Sequence, residues 1–156
     1  ISLGELCLEK GSYIGKFNII KSLKSLSLGQ KSAILHRNLI AGTYATSNSS
    51  SREDVLIGRN SQISISSFID VTEPISIGHN VVLGGVGTQI WTHGFDHNRI
   101  FNSAPITICD NVFIASACII TSGVVINSFT TIAAGSVVYK DIHFSGRFSS
   151  HTLKKF

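Results

Sequence analysis

The most regular feature of the chain is an aliphatic residue at every sixth position of its second half. The series runs through Ile108, Ile114, Ile120, Ile126, Ile132 and Val138, and four residues after each of the first five stand Val112, Cys118, Val124, Thr130 and Ser136. A helix needs apolar spacings of three and four, and a half-buried strand needs spacings of two, so neither explains a period of six. A β-solenoid does, because each hexad is then a short strand plus a corner, with its aliphatic residue inside the prism.

The same period continues upstream, with interruptions. The residues in phase are Ile14, Ile20 and Leu26, then Leu28, Ile34 and Ile40, then Ile57, Ile63, Ile69 and Ile75, then Ile77 and Leu83. The two slips of two residues, Leu26 to Leu28 and Ile75 to Ile77, are expected at corners. Polar residues at 43–54 and a mixture of His, Asp and aromatic residues at 88–105 predict two external loops. We therefore predict a single all-β solenoid domain over 1–156, with a C-terminal segment outside the repeat at 141–156.

Composition narrows the class of protein. Charged residues make up only 14% of the 156 residues, which suggests that neighbouring subunits cover some prism faces. The 13 basic and 9 acidic residues permit an anionic ligand, but the basic residues form no stripe with aromatic residues, so nucleic acid is not expected. No transmembrane run or secretory signal is visible, which predicts a soluble cytoplasmic protein without membrane insertion. Because the chain begins at Ile1 and contains no Met, an extension of the natural product beyond residues 1–156 stays open.

The cysteines do not form a metal-binding pattern. Cys7, Cys109 and Cys118 are odd in number and lack metal-type spacing, which fits a reducing compartment. Cys118 occupies the small inward position of a hexad, so packing is its expected role.

Four segments resemble the hexapeptide-repeat acyltransferases, and especially the sugar and polysaccharide O-acetyltransferases. They read IGHNVVLG at 77–84, QIWTHGFDHNR at 89–99, ITICDNVFIASACIITSGVVI at 106–126 and TIAAGSVVYKDI at 131–142. These are similar to the IGDNV, THPLD, WIG and AGSVVTKDI signatures of the family, in the family's order. The resemblance covers 57–142 well, and it implies a left-handed parallel β-helix, a homotrimer and acetyl-CoA as co-substrate, without a metal.

The resemblance also implies the catalytic base. Thr92 to Asp96 reads THGFD, and in the corresponding family motif the His removes the proton of the acceptor hydroxyl, so His93 is the expected base. Some relatives place that His directly before the Asp, a position held here by Phe95. The alignment within the loop can therefore slide, which leaves His97 as the alternative base.

Four residues are candidates for binding the acceptor. Asp70 follows Ile69 where the family has an acidic residue that contacts the acceptor sugar, although a turn cap is an equally good interpretation. Ser64 aligns near a sugar-contacting Asn, Asp96 belongs to the loop motif, and Trp91 can stack on the apolar face of a pyranose.

The resemblance points to the coils after the loop for coenzyme A. Phe113 stands at the Trp of WIG, Ser116 at a pantetheine contact, and Ala134, Tyr139 and Lys140 at positions that line the same channel. After Asp141 the chain departs from the family pattern, so contacts with the 3′-phosphate stay open.

The sequence thus predicts an acetyl-CoA-dependent O-acetyltransferase that acts on a sugar hydroxyl of a surface polysaccharide or its precursor. The alternatives are an N-acetyltransferase of an amino or nucleotide sugar, a xenobiotic acetyltransferase, a γ-carbonic anhydrase-like metalloenzyme with zinc bound by His, and a noncatalytic solenoid scaffold.

Overall fold

The computed structural model describes residues 2–42 and 53–150, and every regular element in these ranges is a β-strand. Accordingly, this part of the chain contains no helix that is long and apolar enough to cross a membrane. The strands are β1 (Ser2–Leu8), β2 (Tyr13–Ile14), β3 (Ile19–Leu28), β4 (Ala33–Ile34), β5 (Leu39–Ala41), β6 (Asp54–Ile57), β7 (Gln62–Ile63), β8 (Phe68–Asp70), β9 (Ile75–Ile77), β10 (Val82–Leu83), β11 (Gln89–Ile90), β12 (His93–Phe95), β13 (Phe101–Ser103), β14 (Ile106–Ile108), β15 (Phe113–Ile114), β16 (Ile119–Ile120), β17 (Val125–Ile126), β18 (Thr130–Ile132), β19 (Val137–Val138) and β20 (Gly146–Phe148).

Parallel pairing between successive coils builds a three-sided prism. Face 1 contains β2, β4, β7, β10, β15, β18 and β20. Face 2 contains residues 19–21 of β3 with β5, β8, β11, β16 and β19, and face 3 contains β1 and residues 25–28 of β3 with β6, β9, β14 and β17. Because β3 is long, it turns the corner from face 2 to face 3 within one strand. We call the three edges corner 1/2, corner 2/3 and corner 3/1.

The core lies along the prism axis and consists of the residues that the hexads predict. The six aliphatic residues from Ile108 to Val138 are at most 6% exposed, and the five small residues that follow the first five are at most 2% exposed. Residues of the same hexad position stack in register, as in the pairs of Ile114 with Leu83 and Ile132. Each fully buried aliphatic side chain contributes about 1.5 to 3 kcal/mol, so this column is a large part of the stability of the fold.

The two-residue slips lie within strands rather than at corners, which corrects the prediction. Leu26 and Leu28 are both buried in β3, and Ile75 and Ile77 are both buried in β9 with Ser76 pointing outward between them. Since side chains alternate with a period of two, a strand that is longer by two residues keeps the same side inward. The slips therefore lengthen the strands of face 3.

The interruption expected at 88–105 is shorter in the structure. Thr88 and β11 continue the solenoid, and Ile90 is fully buried. The chain leaves the prism at corner 2/3, forms the antiparallel hairpin of β12 and β13, and returns in β14. Of the other expected loop, at 43–54, residues 43–52 lie outside the described residues, and Asp54 already begins β6.

The segment predicted to lie outside the repeat at 141–156 in fact continues the solenoid as far as residue 150. Ile142 forms a parallel bridge with Ile126, and β20 pairs with β18. Ile142 and Phe148 pack against the core. The sequence pattern missed this coil because Phe148 lies opposite Ile132, a shift of 16 residues instead of three hexads. Residues 151–156 lie outside the described residues.

Candidate active site

His93 lies at the root of the hairpin, where the chain leaves the prism. It opens β12 and is paired with Ser103 at the end of β13, while Phe95 is paired with Phe101. The Ser103 hydroxyl donates a hydrogen bond of 2.7 Å to Oε1 of Glu73, a residue of the preceding coil. The base of the hairpin is therefore tied to the solenoid on both of its strands.

The imidazole of His93 is oriented by a carboxylate. Its Nδ1 lies 2.8 Å from Oδ2 of Asp70 and 2.9 Å from the Thr72 hydroxyl. The side chains of His93 and Asp70 are 19% and 5% exposed. Because an ionised carboxylate only accepts hydrogen bonds, Nδ1 carries the proton of the neutral ring. The other ring nitrogen, Nε2, is then left with a lone pair that can accept a proton.

Asp70 itself is held by a buried hydrogen-bond network. Its Oδ2 accepts hydrogen bonds from the backbone N–H of Thr92 at 3.0 Å and from the Thr92 hydroxyl at 2.8 Å, and its Oδ1 accepts one from the Thr72 hydroxyl at 3.0 Å. The Thr92 hydroxyl in turn accepts from the backbone N–H groups of Thr72 and Glu73. With His93, the carboxylate has four donors, which offset the cost of burying its charge and fix its rotamer. The turn-cap interpretation of Asp70 is thus replaced by contact with His93.

Aromatic rings surround the imidazole on the hairpin side and along face 2. Phe101 stacks on His93 with ring centroids 5.5 Å apart, and Phe95 and Trp91 meet it edge-on at 6.1 Å and 6.5 Å. Trp91 also packs against Phe68, with centroids 4.6 Å apart. Phe95 and Phe101 remain 66% and 43% exposed. The imidazole therefore borders an open aromatic surface.

The second histidine of the loop has a different environment. His97 is exposed in the turn of the hairpin, and no residue in the described ranges hydrogen-bonds to its ring. The adjacent Asp96 closes this turn, because its Oδ1 accepts hydrogen bonds from the backbone N–H groups of Asn98 and Ile100, both at 2.8 Å. The geometry of a carboxylate-oriented imidazole is therefore found at His93, and Asp96 is engaged in shaping the turn.

Comparison with known proteins shows which proteins the chain is similar to. No family model matches it. Over 94 aligned residues it is 36% identical to the galactoside O-acetyltransferase of Escherichia coli K12. The aligned region covers 57% of this chain and 46% of that protein. The chain thus spans about half the length of this curated relative.

Solved structures that resemble the chain are also acetyltransferases. A hexapeptide-repeat-containing acetyltransferase from Vibrio cholerae, also solved in complex with acetyl-CoA, matches with a TM-score of 0.61 and 28% identity over 74% of this chain and 63% of that chain. The chain is thus similar in sequence and in fold to hexapeptide-repeat acyltransferases. A maltose O-acetyltransferase from Clostridium difficile 630 shares the fold, with a TM-score of 0.55 and 21% identity over 90% of this chain and 61% of that chain. The predicted resemblance to this family and the predicted left-handed β-helix are thereby confirmed.

In this hexapeptide-repeat protein, Ser64 lies apart from the other predicted acceptor residues. It follows β7 at corner 1/2, where its hydroxyl accepts a hydrogen bond of 3.1 Å from the side chain of Gln62. Asp70, Trp91 and His93 lie at the opposite edge of face 2, at corner 2/3. A single chain therefore brings together Asp70, Trp91 and His93 but not Ser64.

The residues predicted to hold coenzyme A lie on two edges of the solenoid. Phe113 points outward from face 1 and is 48% exposed, and Ser116 and Ala134 follow at corner 1/2. Tyr139 and Lys140 lie at corner 2/3, with the Lys140 ammonium 5.5 Å from the Tyr139 ring centroid. This second pair is on the edge that carries His93, two coils further along the prism.

Two other features of the described residues bear on the chemistry. Cys118 is fully buried, and burial raises the pKa of its thiol, while hydrogen bonds from backbone groups of Ser136 and Gly135 oppose the shift. Its environment is that of a packing residue.

Within 2–42 and 53–150, His, Cys, Asp and Glu side chains form no cluster of three or more that could hold a metal ion.

Sequence reasoning missed the partnership of Asp70 with His93 and the two threonines that complete it. Thr72 and Thr92 carry no motif of their own, yet both are almost fully buried. The sequence did contain one signal of this contact. Asp70 and Thr92 are 22 residues apart, which is close to the length of one coil and predicts that they lie above one another in neighbouring coils.

Proposed function

We propose that this protein is an acetyl-CoA-dependent O-acetyltransferase that acylates a sugar hydroxyl of a surface polysaccharide or of its precursor. The observation that carries the proposal is the His93 imidazole, whose Nδ1 is held 2.8 Å from the buried carboxylate of Asp70. The E. coli relative is a galactoside O-acetyltransferase, and the V. cholerae relative has been solved with acetyl-CoA, which supports the substrate classes.

In the proposed reaction, Nε2 of His93 accepts the proton of the acceptor hydroxyl while the hydroxyl oxygen attacks the thioester carbonyl carbon. The new C–O bond forms first, and collapse of the tetrahedral intermediate then breaks the C–S bond. The imidazolium returns the proton to the departing thiolate, so the products are the acetyl ester and free coenzyme A. Asp70 stabilises the imidazolium and keeps the ring in the required tautomer without taking up the proton.

A carbohydrate acceptor is supported by the aromatic surface beside His93. Pyranose rings have an apolar face that packs on aromatic side chains. Trp91 offers such a surface, and its Nε1 donates a hydrogen bond of 2.9 Å to Oε1 of Gln89, which fixes the plane of the indole. Phe101 lies on the other side of the imidazole, stacked on its ring. An acceptor that binds against these rings would hold one hydroxyl close to Nε2.

The placement of the coenzyme A residues supports a homotrimer. Ser116 and Ala134 occupy corner 1/2, whereas His93 and Lys140 occupy corner 2/3, so face 2 separates the two groups in one chain. Rotation about a threefold axis can set corner 1/2 of one subunit against corner 2/3 of the next. Each active site would then lie between two subunits. Light scattering should give three times the chain mass of 16.8 kDa, and a monomer at micromolar concentration would contradict the assembly.

The decisive experiment is a thiol-release assay with acetyl-CoA and a panel of sugars, nucleotide sugars and oligosaccharides. We expect turnover with a hydroxyl acceptor and an ester product that hydroxylamine cleaves. A product stable to hydroxylamine, formed only with amino sugars, would identify an N-acetyltransferase instead. Absence of both thiol release and coenzyme A binding would leave a noncatalytic scaffold, and stoichiometric zinc in the purified protein would favour the metalloenzyme alternative.

A further inference from the structure

The hydrogen bonds around Asp70 determine where the hydroxyl protons of the candidate site lie. The Thr92 hydroxyl accepts from the backbone N–H groups of Thr72 at 2.9 Å and Glu73 at 3.1 Å, so its lone pairs are engaged and its proton is donated. That proton goes to Oδ2 of Asp70, 2.8 Å away. The Thr72 hydroxyl donates to the other carboxylate oxygen, Oδ1, at 3.0 Å. The two threonine protons are thus directed at different oxygens of one carboxylate.

The Thr72 oxygen also lies beside the imidazole of His93. Its distance to Nδ1 is 2.9 Å, almost the same as the 2.8 Å between Nδ1 and Oδ2 of Asp70. Because the Thr72 proton is directed at Oδ1, the side of this hydroxyl that faces Nδ1 is a lone pair. The Nδ1–H group is therefore placed between two acceptor oxygens, and the carboxylate supplies one of them.

Two acceptors at Nδ1 determine which way round the ring is held. A rotation of 180° about the Cβ–Cγ bond of His93 would place Cδ2–H where Nδ1–H lies, and both hydrogen bonds would be lost. In the observed orientation Nε2 lies away from Asp70 and Thr72, so it can accept a proton from an acceptor hydroxyl. The Thr72 hydroxyl therefore adds to the preference for the orientation that general-base catalysis needs.

Thr72 is placed where it does not meet the acceptor. Its residue surface is 1% exposed, and its backbone N–H is bonded to the Thr92 hydroxyl of the following coil. A side chain buried to this degree does not contact a ligand that binds at the surface of the prism. An effect of the Thr72 hydroxyl on the reaction must therefore pass through His93 and Asp70.

We infer that Thr72 is a positioning residue for the proposed base. Its hydroxyl holds Nδ1–H toward the interior of the protein and thereby keeps Nε2 directed at the acceptor. The Thr72 proton stays on its own oxygen throughout the reaction. When Nε2 takes up the acceptor proton, the lone pair of Thr72 faces the imidazolium and stabilises its charge together with Asp70. This role rests on the proposed function, because it requires His93 to be the base.

Removal of the hydroxyl at nearly constant shape tests this role, since Val has the branched side chain of Thr without the oxygen. Thr72→Val should lower kcat about tenfold, which corresponds to about 1.4 kcal/mol of transition-state stabilisation. The KM for the acceptor and the Kd for acetyl-CoA should stay within about twofold of the parental values, because the hydroxyl contacts neither substrate. Thiol release and calorimetric titration of acetyl-CoA measure these quantities.

Two other substitutions at the same position make the result independent of how well Val packs. Thr72→Ser keeps the hydroxyl and should retain most of the parental kcat. Thr72→Ala removes the hydroxyl with a smaller side chain and should repeat the loss seen in Thr72→Val. Parental kcat in both Thr72→Val and Thr72→Ala, or an equal loss in Thr72→Ser, would overturn the assigned role.

Thr130→Val is the matched control for loss of a buried hydroxyl. Thr130 is also 1% exposed, and its hydroxyl has no hydrogen-bond partner in the part of the chain that the structure describes. It begins β18 on face 1, away from corner 2/3. This variant should keep the parental kcat and melting temperature, because no hydrogen bond is removed. If it lowers kcat as much as Thr72→Val does, the loss reflects a disturbed core and the role of Thr72 fails.

A double-mutant cycle with Asp70→Asn shows whether Thr72 acts through the pair of Asp70 and His93. Because both side chains act on one Nδ1–H group, the combined loss of kcat should be clearly smaller than the product of the two single losses. Losses that multiply would overturn the assigned role. A parent without thiol release would refute the proposed function and the role of Thr72 with it. An active parent with a fully active Thr72→Val would refute only the role of Thr72.

Discussion

Replacement of His93 by Ala separates catalysis from folding more cleanly than any other change at the candidate site. The imidazole is 19% exposed and belongs to the hairpin, outside the column of aliphatic residues that forms the core. Its removal leaves Asp70 with three donors, two from Thr92 and one from Thr72. The stability cost should therefore stay near that of one hydrogen bond to a charged group, about 1.5 to 3 kcal/mol.

The loss of transition-state stabilisation in His93→Ala should exceed the loss of folding stability. A positioned general base contributes roughly 10² to 10⁴ in rate, which corresponds to about 2.7 to 5.4 kcal/mol of transition-state stabilisation. We expect His93→Ala to lower kcat by this factor while the Kd for acetyl-CoA changes little, because the predicted coenzyme A residues do not contact the imidazole.

His97→Ala is the matched control, since it removes a second imidazole from the same hairpin. It should retain most of the parental kcat, because Asp96 and not His97 shapes the turn. Thiol release with the true acceptor and calorimetric titration of acetyl-CoA measure the two quantities. A large loss in His97→Ala with a small loss in His93→Ala would transfer the base to His97. If both variants keep more than about half of kcat, general-base catalysis by this hairpin is refuted.

Three other changes test the dyad, the core and the buried thiol. Asp70→Asn should lower kcat by roughly 10² to 10⁴ with unchanged acetyl-CoA binding, because an amide can donate to Nδ1 and favour the wrong tautomer; parental kcat would contradict the dyad. Ile120→Asp buries a charge and should cost several kcal/mol, whereas Ile119→Asp on the outer side of the same strand should melt near the parent, as circular dichroism will show. A thiol reagent should label exposed Cys7 in the folded protein, but Cys118 only when the protein unfolds. Burial raises the pKa of the Cys118 thiol, so above the ordinary thiol range this thiol ionises in the unfolded chain before it does in the folded one. The free energy of unfolding should therefore decline as the pH rises through that range.

The solenoid was predictable because every hexad places one side chain inside the prism and therefore needs an aliphatic residue at the same position. An inward position at every sixth residue must be aliphatic, and this fixes both the strand and the corner that follows it. The prediction failed for the last coil, where both the spacing and the type of the inward residue change. Phe148 takes an inward position after a coil of 16 residues, and an aromatic residue off the period of six is not recognised as part of the repeat.

The partner of His93 was not predictable from the hexads alone. Contacts between coils depend on coil length, which is 20 residues from Ile14 to Ile34 but 18 from Ile114 to Ile132. A two-residue difference leaves a side chain on the same side of its strand but moves it along the strand or the corner, so that it meets a different partner in the next coil. Asp70 was recognised as a candidate from its family position, but its contact with the imidazole becomes visible only when the actual register of β8 and β11 is known.

The position of His93 at the root of the hairpin explains how a surface excursion can supply precise chemistry. An isolated two-stranded hairpin is marginally stable in water, so its turn is a poor place to hold a catalytic group within a fraction of an ångström. His93 avoids this problem, because its backbone neighbour Thr92 is fully buried and hydrogen-bonded to the preceding coil. The prism thus positions the proposed base, whereas the turn near His97 is exposed. The root of the hairpin, rather than its tip, is therefore the place where a catalytic side chain can be held precisely.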